Sequence, residues 1–390
     1  MLDDCGALCG VRVLDLATVG PAARASRILS DYGADVVKVG AVPRSGAVQI
    51  TPPHYAYSGN RGMRRMAVDL KSDGGRSAFL RLADSADVVI ESFRPGVAAR
   101  LGIGPGDLLS RNPRLVYCST SGFGQDGPRR NWAGHDLNYL AVAGFLDCSG
   151  RTGDGRPALP GATVADIAAG GMQAAMAVMA ALLERGRTGT GQHLDVSIAD
   201  GVLAMMSLYA DEYLATGTEP GPGHYILTGR YACYDVYTCA DGRHLSVAAI
   251  EPAFWANLCR ALGLDGWIDH QLDDEVQDRV RADVAAALAA RPRDEWVELL
   301  GPGDCCVAPV NTVAEAVVDE QFVARGLVVD AVHPEAGAFR QVAAVWAGTT
   351  QLDAPVEVPD AARSDAETLL QEAGCEPDRV RAWIDEGAVA

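Results

Sequence analysis

The sequence predicts an α/β protein built on a mostly parallel sheet, from two observations. A β-rich run, VRVLDL at 11–16, is followed by the helical AARASRILSDYG and by a second β-rich run, ADVVKV at 34–39, which together make a βαβ unit. The same alternation continues through RRMAVDL, GGRSAFLRLADS, ADVVIES and RLVYCSTSGFG. Regular alternation of this kind is typical of a parallel sheet with helices on both faces.

The pattern changes in the second half of the chain. A long helix starting at DIAAGGMQ and a strand at HLDVSI lead to GTEPGPGH, whose glycines and prolines indicate a linker. Next comes a β-hairpin that turns at Ala240, Asp241 and Gly242, with helices over 252–262 and 275–300. We therefore predict a large domain over 1–216, a linker over 217–226, a small α+β domain over 227–320, and over 321–390 a connection and two helices that return to the large domain.

Composition excludes several classes of function. The net charge of −18, from 33 basic and 51 acidic residues, argues against nucleic acid as a partner, because binding to phosphate backbones requires a concentrated basic surface. The longest apolar run, AAMAVMAALL, is about half the length of a bilayer span and predicts a buried helix, with no membrane span. The acidic start does not resemble a secretory signal, so we expect a cytoplasmic protein with reduced thiols.

Cofactor motifs are missing from the sequence. The ten cysteines form no pair of CxxC units, so neither a disulfide framework nor a metal site is expected. The first turn, LATVGPAARA, has one glycine where a dinucleotide fingerprint has three, which disfavours a nicotinamide enzyme. The chain also has no serine elbow beside its candidate residues and no P-loop.

Three side chains with acid or base chemistry lie at predicted helix starts. They are His135 in AGHDLNYLAVAG, Asp166 in GATVADIAAGGM and Glu251 in SVAAIEPAFW, where Pro252 opens a helix. Each position has a structural explanation, because polar side chains satisfy the free N–H groups at the start of a helix. A catalytic role and a capping role therefore both stay open on these residues alone.

Basic side chains follow several of the predicted strands. Lys38 ends the second strand, Lys71 follows the third, and Arg94 follows the fourth, with Arg100 one helical turn later. Since the carboxyl ends of parallel strands share one edge of the sheet, these cations are placed to converge on one polyphosphate. The alternative for each of them is a solvated surface charge.

Motifs along nearly the whole chain resemble the CaiB/BaiF family of family III CoA-transferases, and within it the α-methylacyl-CoA racemases. The resemblance implies a Rossmann-like large domain, a smaller α+β domain, an interlocked homodimer, and an acyl-CoA thioester as substrate with no separate cofactor. It rests on GVRVLDLATVGPAARASRILSDYGADVVKV, VDLKS, ESFRPGV with LGIGP, TSGFGQDGP, AGHDLNYLAVAG, GRTGTGQHLDVSIADG, YTCADGRHLSVAAIEPAFW and CVAPV.

The resemblance also implies roles for particular residues. His135 and Asp166 correspond to the two catalytic proton carriers, with Glu251 near the histidine, and Tyr234 is retained beside the acyl pocket. The CoA-binding positions correspond to Lys38, Val68, Asp69, Leu70, Lys71, Ser92, Phe93, Arg94, Arg100, Gly134, Asp136, Leu137, Asn138 and Tyr139.

The resemblance to the racemases implies interconversion of (2R)- and (2S)-2-methylacyl-CoA through an enolate. One group removes the α-proton while a second returns a proton on the opposite face. We expect N–H groups of the helix that begins near Asp166 to stabilise the enolate oxygen.

Two alternatives stay open. A CoA-transferase uses the same aspartate as a nucleophile, and a catalytically silent acyl-CoA-binding protein uses neither residue. His135 favours the racemase, because transfer has no evident need for a second base. LTGRYACY departs from the racemases by placing Thr228 and Arg230 near the acyl pocket, where an arginine would favour a substrate with a second carboxylate.

Overall fold

The structure is a computed structural model of the chain, and it describes residues 6–17, 20–42, 61–349, 355–360 and 363–390. The chain divides into two compact units. The first comprises residues 1–144, 160–207 and 321–390, and the second comprises residues 145–159 and 208–320.

A six-stranded parallel sheet forms the centre of the first unit, as the alternation predicts. Its order is β3-β2-β1-β4-β5-β6, and every neighbouring pair is parallel. This is the order of doubly wound folds, in which ligands bind at the carboxyl ends of the strands where the order reverses. The strands are β1 (Arg12–Asp15), β2 (Asp35–Gly40), β3 (Arg64–Ala67), β4 (Val88–Glu91), β5 (Val116–Ser121) and β6 (Gln192–Ser197).

The helices agree broadly with the predicted pattern. In chain order they are α1 (Gly20–Asp31), α2 (Asp73–Asp84), α3 (Val97–Arg100), α4 (Pro105–Arg111), α5 (Asp136–Val142), α6 (Phe145–Cys148), a π-helical segment (Ala165–Met172) that runs into α7 (Gln173–Thr188), α8 (Ile198–Met205), α9 (Ser207–Thr216), α10 (Pro252–Leu262), α11 (Gln277–Leu288), α12 (Arg293–Leu300), α13 (Val313–Ala316), α14 (Glu320–Ala324), α15 (Ala366–Glu372) and α16 (Pro377–Asp385), with short 3₁₀ turns at Ile226–Thr228, Asp265–His270 and Gly301–Gly303.

Both faces of the parallel sheet are buried. Successive strand residues point to opposite faces, so Val13 packs on one side while Leu14 packs on the other. The first side is covered by α1 and α7, and the second by α2 with α15 and α16. In the structure the two C-terminal helices thus pack on the sheet of the first unit. A small sheet of order β11-β10-β12 completes the unit, with β10 (Val328–His333), β11 (Gly337–Val342) and β12 (Val356–Glu357).

The long helix over Ala165–Thr188 is tightly packed through glycines. A Cβ atom on Gly170 would lie 2.5 Å from the Pro21 Cβ of α1, and one on Gly201 of α8 would lie 2.7 Å from the Ala169 carbonyl oxygen. By length and composition alone this helix is able to cross a membrane, and 39% of its most apolar window is buried. Core helices meet the same criteria, and one face of this helix, with Ala174, Ala175 and Val178, lies in the core while Met176 and Leu183 are exposed, so the predicted burial holds for that face.

The second unit is an α+β structure. Its antiparallel sheet has the order β7-β8-β9, with β7 (Tyr234–Thr238), β8 (His244–Ala248) and β9 (Val307–Pro309). The predicted hairpin is present, and the Cys239 N–H donates to the Arg243 carbonyl across its turn. The helix over 252–262 has the predicted limits. The helical region over 275–300 is two helices, because Pro292 cannot continue the hydrogen-bonded ladder.

The segment over 217–226 is attached to the second unit, which differs from the predicted linker. His224 Nε2 lies 2.9 Å from the carboxylate of Glu212 in α9, and the Tyr225 hydroxyl also bonds that carboxylate. The Tyr225 ring packs edge-to-face on Tyr209, with 5.0 Å between centroids. These hydrogen bonds and this aromatic contact thus hold the segment against α9. The second unit consequently starts at residue 208 and also takes in residues 145–159.

The packing of the long helix generates a stability prediction. Replacement of Gly170 by alanine should lower the free energy of unfolding by about 1–3 kcal/mol, because the added methyl overlaps Pro21. The measurement is urea denaturation followed by circular dichroism. The matched control is Gly186→Ala in α7, which has open space around its Cβ position and should be neutral or stabilising. Equal effects at the two positions would contradict the packing account.

Candidate functional site

A cleft of about 360 Å³ opens at the carboxyl ends of β4 and β5 in the first unit. Loops after the two strands form one side, and the start of α5 with the segment before it forms the other. Several of the predicted residues come together here, namely Ser92, Phe93, Arg94, Gly134, His135, Asn138 and Tyr139, and the remaining lining residues are Pro95, Ser121, Gly122, Arg130, Trp132 and Ala133.

Tyr139 organises the wall of the cleft. Its hydroxyl donates to the Gly134 carbonyl oxygen at 2.6 Å, and its ring contacts Phe123 edge-to-face at 5.3 Å. A Cβ atom on Gly122 would lie 2.5 Å from the Tyr139 ring, and one on Gly134 would lie 2.7 Å from it. Glycine is therefore required at both positions by the close approach of the backbone to this ring.

His135 is the residue before the first turn of α5, but its imidazole does not cap the helix. Its backbone is extended, and the side chain makes no capping hydrogen bond. The cap is formed instead by Asn138, whose Oδ1 accepts from the His135 N–H at 3.0 Å. The imidazole is exposed and lines the cleft. The capping alternative for His135 is therefore not supported by the structure.

Asp136 joins the start of α5 to the π-helical segment. Its Oδ1 accepts from the Asp166 N–H at 2.9 Å, while the Ile167 N–H bonds the Thr163 carbonyl oxygen at 3.0 Å. These two N–H groups are engaged within the protein. These two are therefore not available to an enolate oxygen, because a carboxylate and a carbonyl already accept from them, and stabilisation by other N–H groups of this helix start stays a prediction.

Asp166 lies in the first turn of the π-helical segment and is half-buried. Burial raises the pKa of its carboxyl above the usual 3.8, and the neighbouring charge of Asp136 raises it further, against the opposing charges of Arg24 and His135. Burial and the two aspartates also raise the pKa of Tyr139 to about 12. Because Asp136 directly follows His135, its bond to the Asp166 N–H brings the acid and the histidine close together along the two segments.

Two of the guanidinium groups lining the cleft are available to a ligand. In the described parts of the chain, neither Arg94 nor Arg130 has a carboxylate partner. Arginines elsewhere are commonly paired, as Arg64 is with Asp35 and Glu372. Unpaired cations in a cleft of a protein with net charge −18 create a local positive potential, which attracts anionic ligands.

The other predicted basic positions lie outside this cleft. Lys38 bonds the buried carboxylate of Asp15 and the Ala17 carbonyl oxygen, so its charge is neutralised at the end of β1. Lys71 is exposed and lies beyond β3, at one edge of the sheet, and Arg100 is exposed at the end of α3. The CoA contacts of these three residues stay predictions.

The segment VDLK forms part of this edge of the sheet. Val68 is buried and pairs with Val389, and the Asp69 N–H donates to the Ala388 carbonyl oxygen at 2.9 Å. Leu70 is half-buried against the core below α2. Leu137 in α5 is 42% exposed. Contacts of these residues with CoA also stay predictions.

The remaining predicted residues belong to the second unit. Glu251 precedes α10 without making a capping bond, and Tyr234 begins β7. Arg230 forms a bidentate pair with Asp274, at 3.1 and 2.9 Å, so its charge already has a partner. The hypothesis that Arg230 selects a second substrate carboxylate is therefore not supported. Thr228 bonds the backbone of Tyr225 within a 3₁₀ turn.

Sequence reasoning missed part of the cleft lining. Trp132 is 61% exposed, and the Arg129 guanidinium lies 5.1 Å from the centre of its ring. Both Trp132 and Arg130 belong to RRNWAGHD, so an exposed tryptophan beside the histidine motif was the available signal. Within the described ranges, no group of three or more His, Cys, Asp or Glu side chains is arranged to hold a metal.

The cysteines do not form a site in the described part of the chain. Cys118, Cys148, Cys233, Cys239, Cys259, Cys305, Cys306 and Cys375 are free thiols, whereas Cys9 is disulfide-bonded and departs from the expected reduced state.

Comparison with known proteins identifies the family. The chain is 37% identical over 309 residues to the alpha-methylacyl-CoA racemase of Mus musculus, which covers 79% of this chain and 78% of the relative. It is 33% identical over 350 residues to the succinate–glutarate CoA-transferase of Agrobacterium fabrum, covering 83% and 84%. The crystal structure of Rv3272 from M. tuberculosis matches 91% of this chain and 97% of its own, with a TM-score of 0.77 and 28% identity. Because the model of CoA-transferase family III matches residues 8–361, this protein belongs to that family.

Proposed function

We propose that this protein is a racemase that interconverts (2R)- and (2S)-2-methylacyl-CoA thioesters. The observation that carries the proposal is the hydrogen bond from the Asp166 N–H to Asp136, the residue after His135, which brings Asp166 close to a histidine that lines a cleft and makes no capping bond. Inversion at the α-carbon requires two proton carriers on opposite faces of a planar enolate. A single base would return the proton to the face from which it came.

The protonation states of the pair fit this reaction. In one direction neutral His135 takes the α-proton, the C–H electron pair moves into the thioester to form the enolate, and protonated Asp166 delivers a proton to the other face. The raised pKa of Asp166 favours the protonated form that this step needs. In the reverse direction the two residues exchange roles. The thioester itself acidifies the α-proton, so we expect no additional cofactor.

We propose that the cleft at the ends of β4 and β5 binds the CoA portion. Arg94 and Arg130 supply cations without carboxylate partners in the described ranges, and phosphate groups favour arginine through charge-assisted bonds. Lys38, the segment 68–71 and Arg100 extend the proposed CoA contacts along the sheet, and the roles of Glu251 and Tyr234 stay predictions.

A CoA-transferase is the second candidate, and similarity to transferases at 33% identity favours it. In that reaction the Asp166 carboxylate attacks the thioester carbonyl, the CoA thiolate leaves, and a mixed anhydride forms on the enzyme. The CoA thiolate then attacks the aspartyl carbonyl of the anhydride, which releases the donor carboxylate and leaves a CoA thioester on Asp166. An acceptor carboxylate attacks this thioester and displaces the CoA thiolate, and attack of that thiolate on the acyl carbonyl of the new anhydride releases the acceptor as its CoA thioester and regenerates the aspartate. The same aspartate serves both reactions, so the use of His135 separates them.

We expect racemisation to be visible as proton exchange. One epimer of a 2-methylacyl-CoA incubated in D₂O should gain deuterium at the α-carbon and lose stereochemical purity, as measured by mass spectrometry and chiral chromatography. His135→Ala should lower this rate by about 10²-fold or more, because it removes one proton carrier. His244→Ala, a change on β8 of the second unit, is the control and should retain the rate.

The same panel of substrates distinguishes the alternatives. If no α-exchange occurs while CoA moves to an added carboxylic acid and hydroxylamine traps an adduct on Asp166, the transferase is correct. If CoA binds with neither reaction, and the His135→Ala and Asp166→Ala variants keep the biological activity, the protein is a silent acyl-CoA-binding protein.

Asp166→Asn should abolish racemisation while raising thermal stability near pH 7. In the folded state burial and Asp136 disfavour the ionised carboxyl, so ionisation destabilises the fold at any pH above the raised pKa. The gain in Tm over wild type should narrow as the pH falls towards 3.8, where Asp166 becomes protonated in both folded and unfolded chains. Scanning calorimetry from pH 7 downward tests this, with exposed Asp126→Asn as control. A variant that is less stable than wild type at pH 7 would contradict the account.

We also propose that the protein acts as a homodimer in the cytoplasm, interlocked as the family resemblance implies. Large apolar side chains are exposed on a single chain, among them Leu183 at 75% in the first unit and Leu214 at 80% in the second. Apolar exposure of this kind is typical of a surface that a second chain covers. Light scattering should give about twice the 40.9 kDa of one chain, and a monomer mass at micromolar concentration would refute the dimer.

A further inference from the structure

A row of polar side chains lies directly below the cleft, on three adjacent strands of the parallel sheet. Glu91 on β4 pairs in register with Ser119 on β5, and Ser119 pairs with Asp195 on β6. Glu91 and Ser119 are buried, at 3% and 1% exposure. The proposed proton transfer uses none of the three, although they lie at the sheet edge where the ligand cleft begins.

Each acid in the row holds one loop of the cleft. A Glu91 carboxylate oxygen accepts from the Phe93 N–H at 2.6 Å, and Asp195 accepts from the Gln125 N–H at 2.9 Å. Ser119 lies between them, and its hydroxyl is 3.0 Å from His193 Nε2. Two loops that line the cleft are thus anchored to carboxylates on the strands beneath.

The anchor at Glu91 acts on the residue that presents Arg94. The bond to the Phe93 N–H closes a tight turn directly before Arg94, and Pro95 restricts the backbone of Arg94 from the other side. Arg94 lines the cleft and has no carboxylate partner among the described residues, so no ion pair fixes its side chain and the turn sets where that side chain begins. Loss of the hydrogen bond between the Glu91 carboxylate and the Phe93 N–H would therefore allow this turn to change its conformation.

The environment of Glu91 indicates that its negative charge does not contribute to the stability of the fold. Burial raises the pKa of Glu91 and the charge of Asp195 raises it further, against hydrogen bonds from Ser119 and the Phe93 N–H. The other titratable groups around it are Tyr117 and Cys118 on β5, both also disfavoured as anions by burial, and His193, whose pKa burial lowers. A neutral side chain would be easier to bury than this carboxylate.

We propose that Glu91 is a positioning residue for CoA binding, which holds the Phe93 N–H so that Arg94 faces the anionic ligand. The inference rests on the proposed binding of CoA in this cleft. A charged acceptor forms a shorter and stronger bond to an N–H than a neutral amide does. The function of the carboxylate is to fix the geometry of the turn, and Arg94 makes the contact.

The test compares Glu91→Gln, Arg94→Ala and the double variant by calorimetric titration with free CoA. Glu91→Gln should weaken CoA binding by about 10-fold, the scale of one lost charge-assisted bond. The double variant should bind no more weakly than Arg94→Ala alone, because Glu91 acts through Arg94. In the racemase assay Glu91→Gln should raise KM with little change in kcat. Its Tm should be unchanged or higher.

A second readout separates positioning from a structural role. Acidification through the raised pKa protonates Glu91 in the wild type and weakens its bond to Phe93, so CoA affinity should fall further in the wild type than in Glu91→Gln as the pH is lowered towards 4.5. Titration of the CoA phosphates is common to both proteins. Asp31→Asn, which alters a buried acid of α1 paired with Arg27 and Arg61, is the matched control and should leave CoA affinity unchanged.

The outcomes distinguish the inference from the proposed function. If the wild type does not bind CoA, the proposed function fails. If the wild type binds CoA and Glu91→Gln binds it equally well, or if the effects of Glu91→Gln and Arg94→Ala add in full, the positioning role of Glu91 is overturned while the proposed function stands.

Discussion

The hydrogen bond from the Asp166 N–H to the Asp136 carboxylate is the contact on which the candidate active site depends. It joins the start of α5, which carries His135, to the π-helical segment that carries Asp166. The same carboxylate that caps this helix also disfavours ionisation of Asp166 by its charge. The Asp136 side chain therefore both caps this helix start and raises the pKa of Asp166, so a substitution of Asp136 changes both. Asp136 thus has a structural role at the helix start, whereas Asp166 is the proposed proton carrier.

Much of the fold was predictable, because the relevant signals are local. Consecutive apolar residues such as Val13 and Leu14 are typical of a strand with two buried faces, and Pro252 marks the start of α10. What was not predictable depends on contacts between distant residues. The bonds from His224 and Tyr225 to Glu212 attach the expected linker to α9, and the π-helical geometry over Ala165–Met172 has no distinct periodicity in so short a segment.

Only some of the residues predicted for the candidate site line the cleft. The motifs around Arg94 and His135 led to residues that line one cleft, since both follow strands or begin helices at the same edge of the sheet. Lys38 satisfied the same rule, but its charge is neutralised by Asp15 on the neighbouring strand. Arg130 was missed because it belongs to a loop without periodicity. A basic residue at a strand end therefore predicts proximity to a ligand, and its ion pairs decide whether the charge is available.

The contacts of Tyr139 have a consequence for how substrate preference can diverge among related proteins. Two loops approach the ring so closely that neither Gly122 nor Gly134 has space for a side chain. Substitutions of these two glycines are consequently disfavoured, because any larger residue there displaces Tyr139 and the helix start behind it. Variation is left to the rim, where exposed side chains such as Trp132 alter the entrance without disturbing the wall. New specificities are then reached by exchanging rim residues around an unchanged catalytic interior.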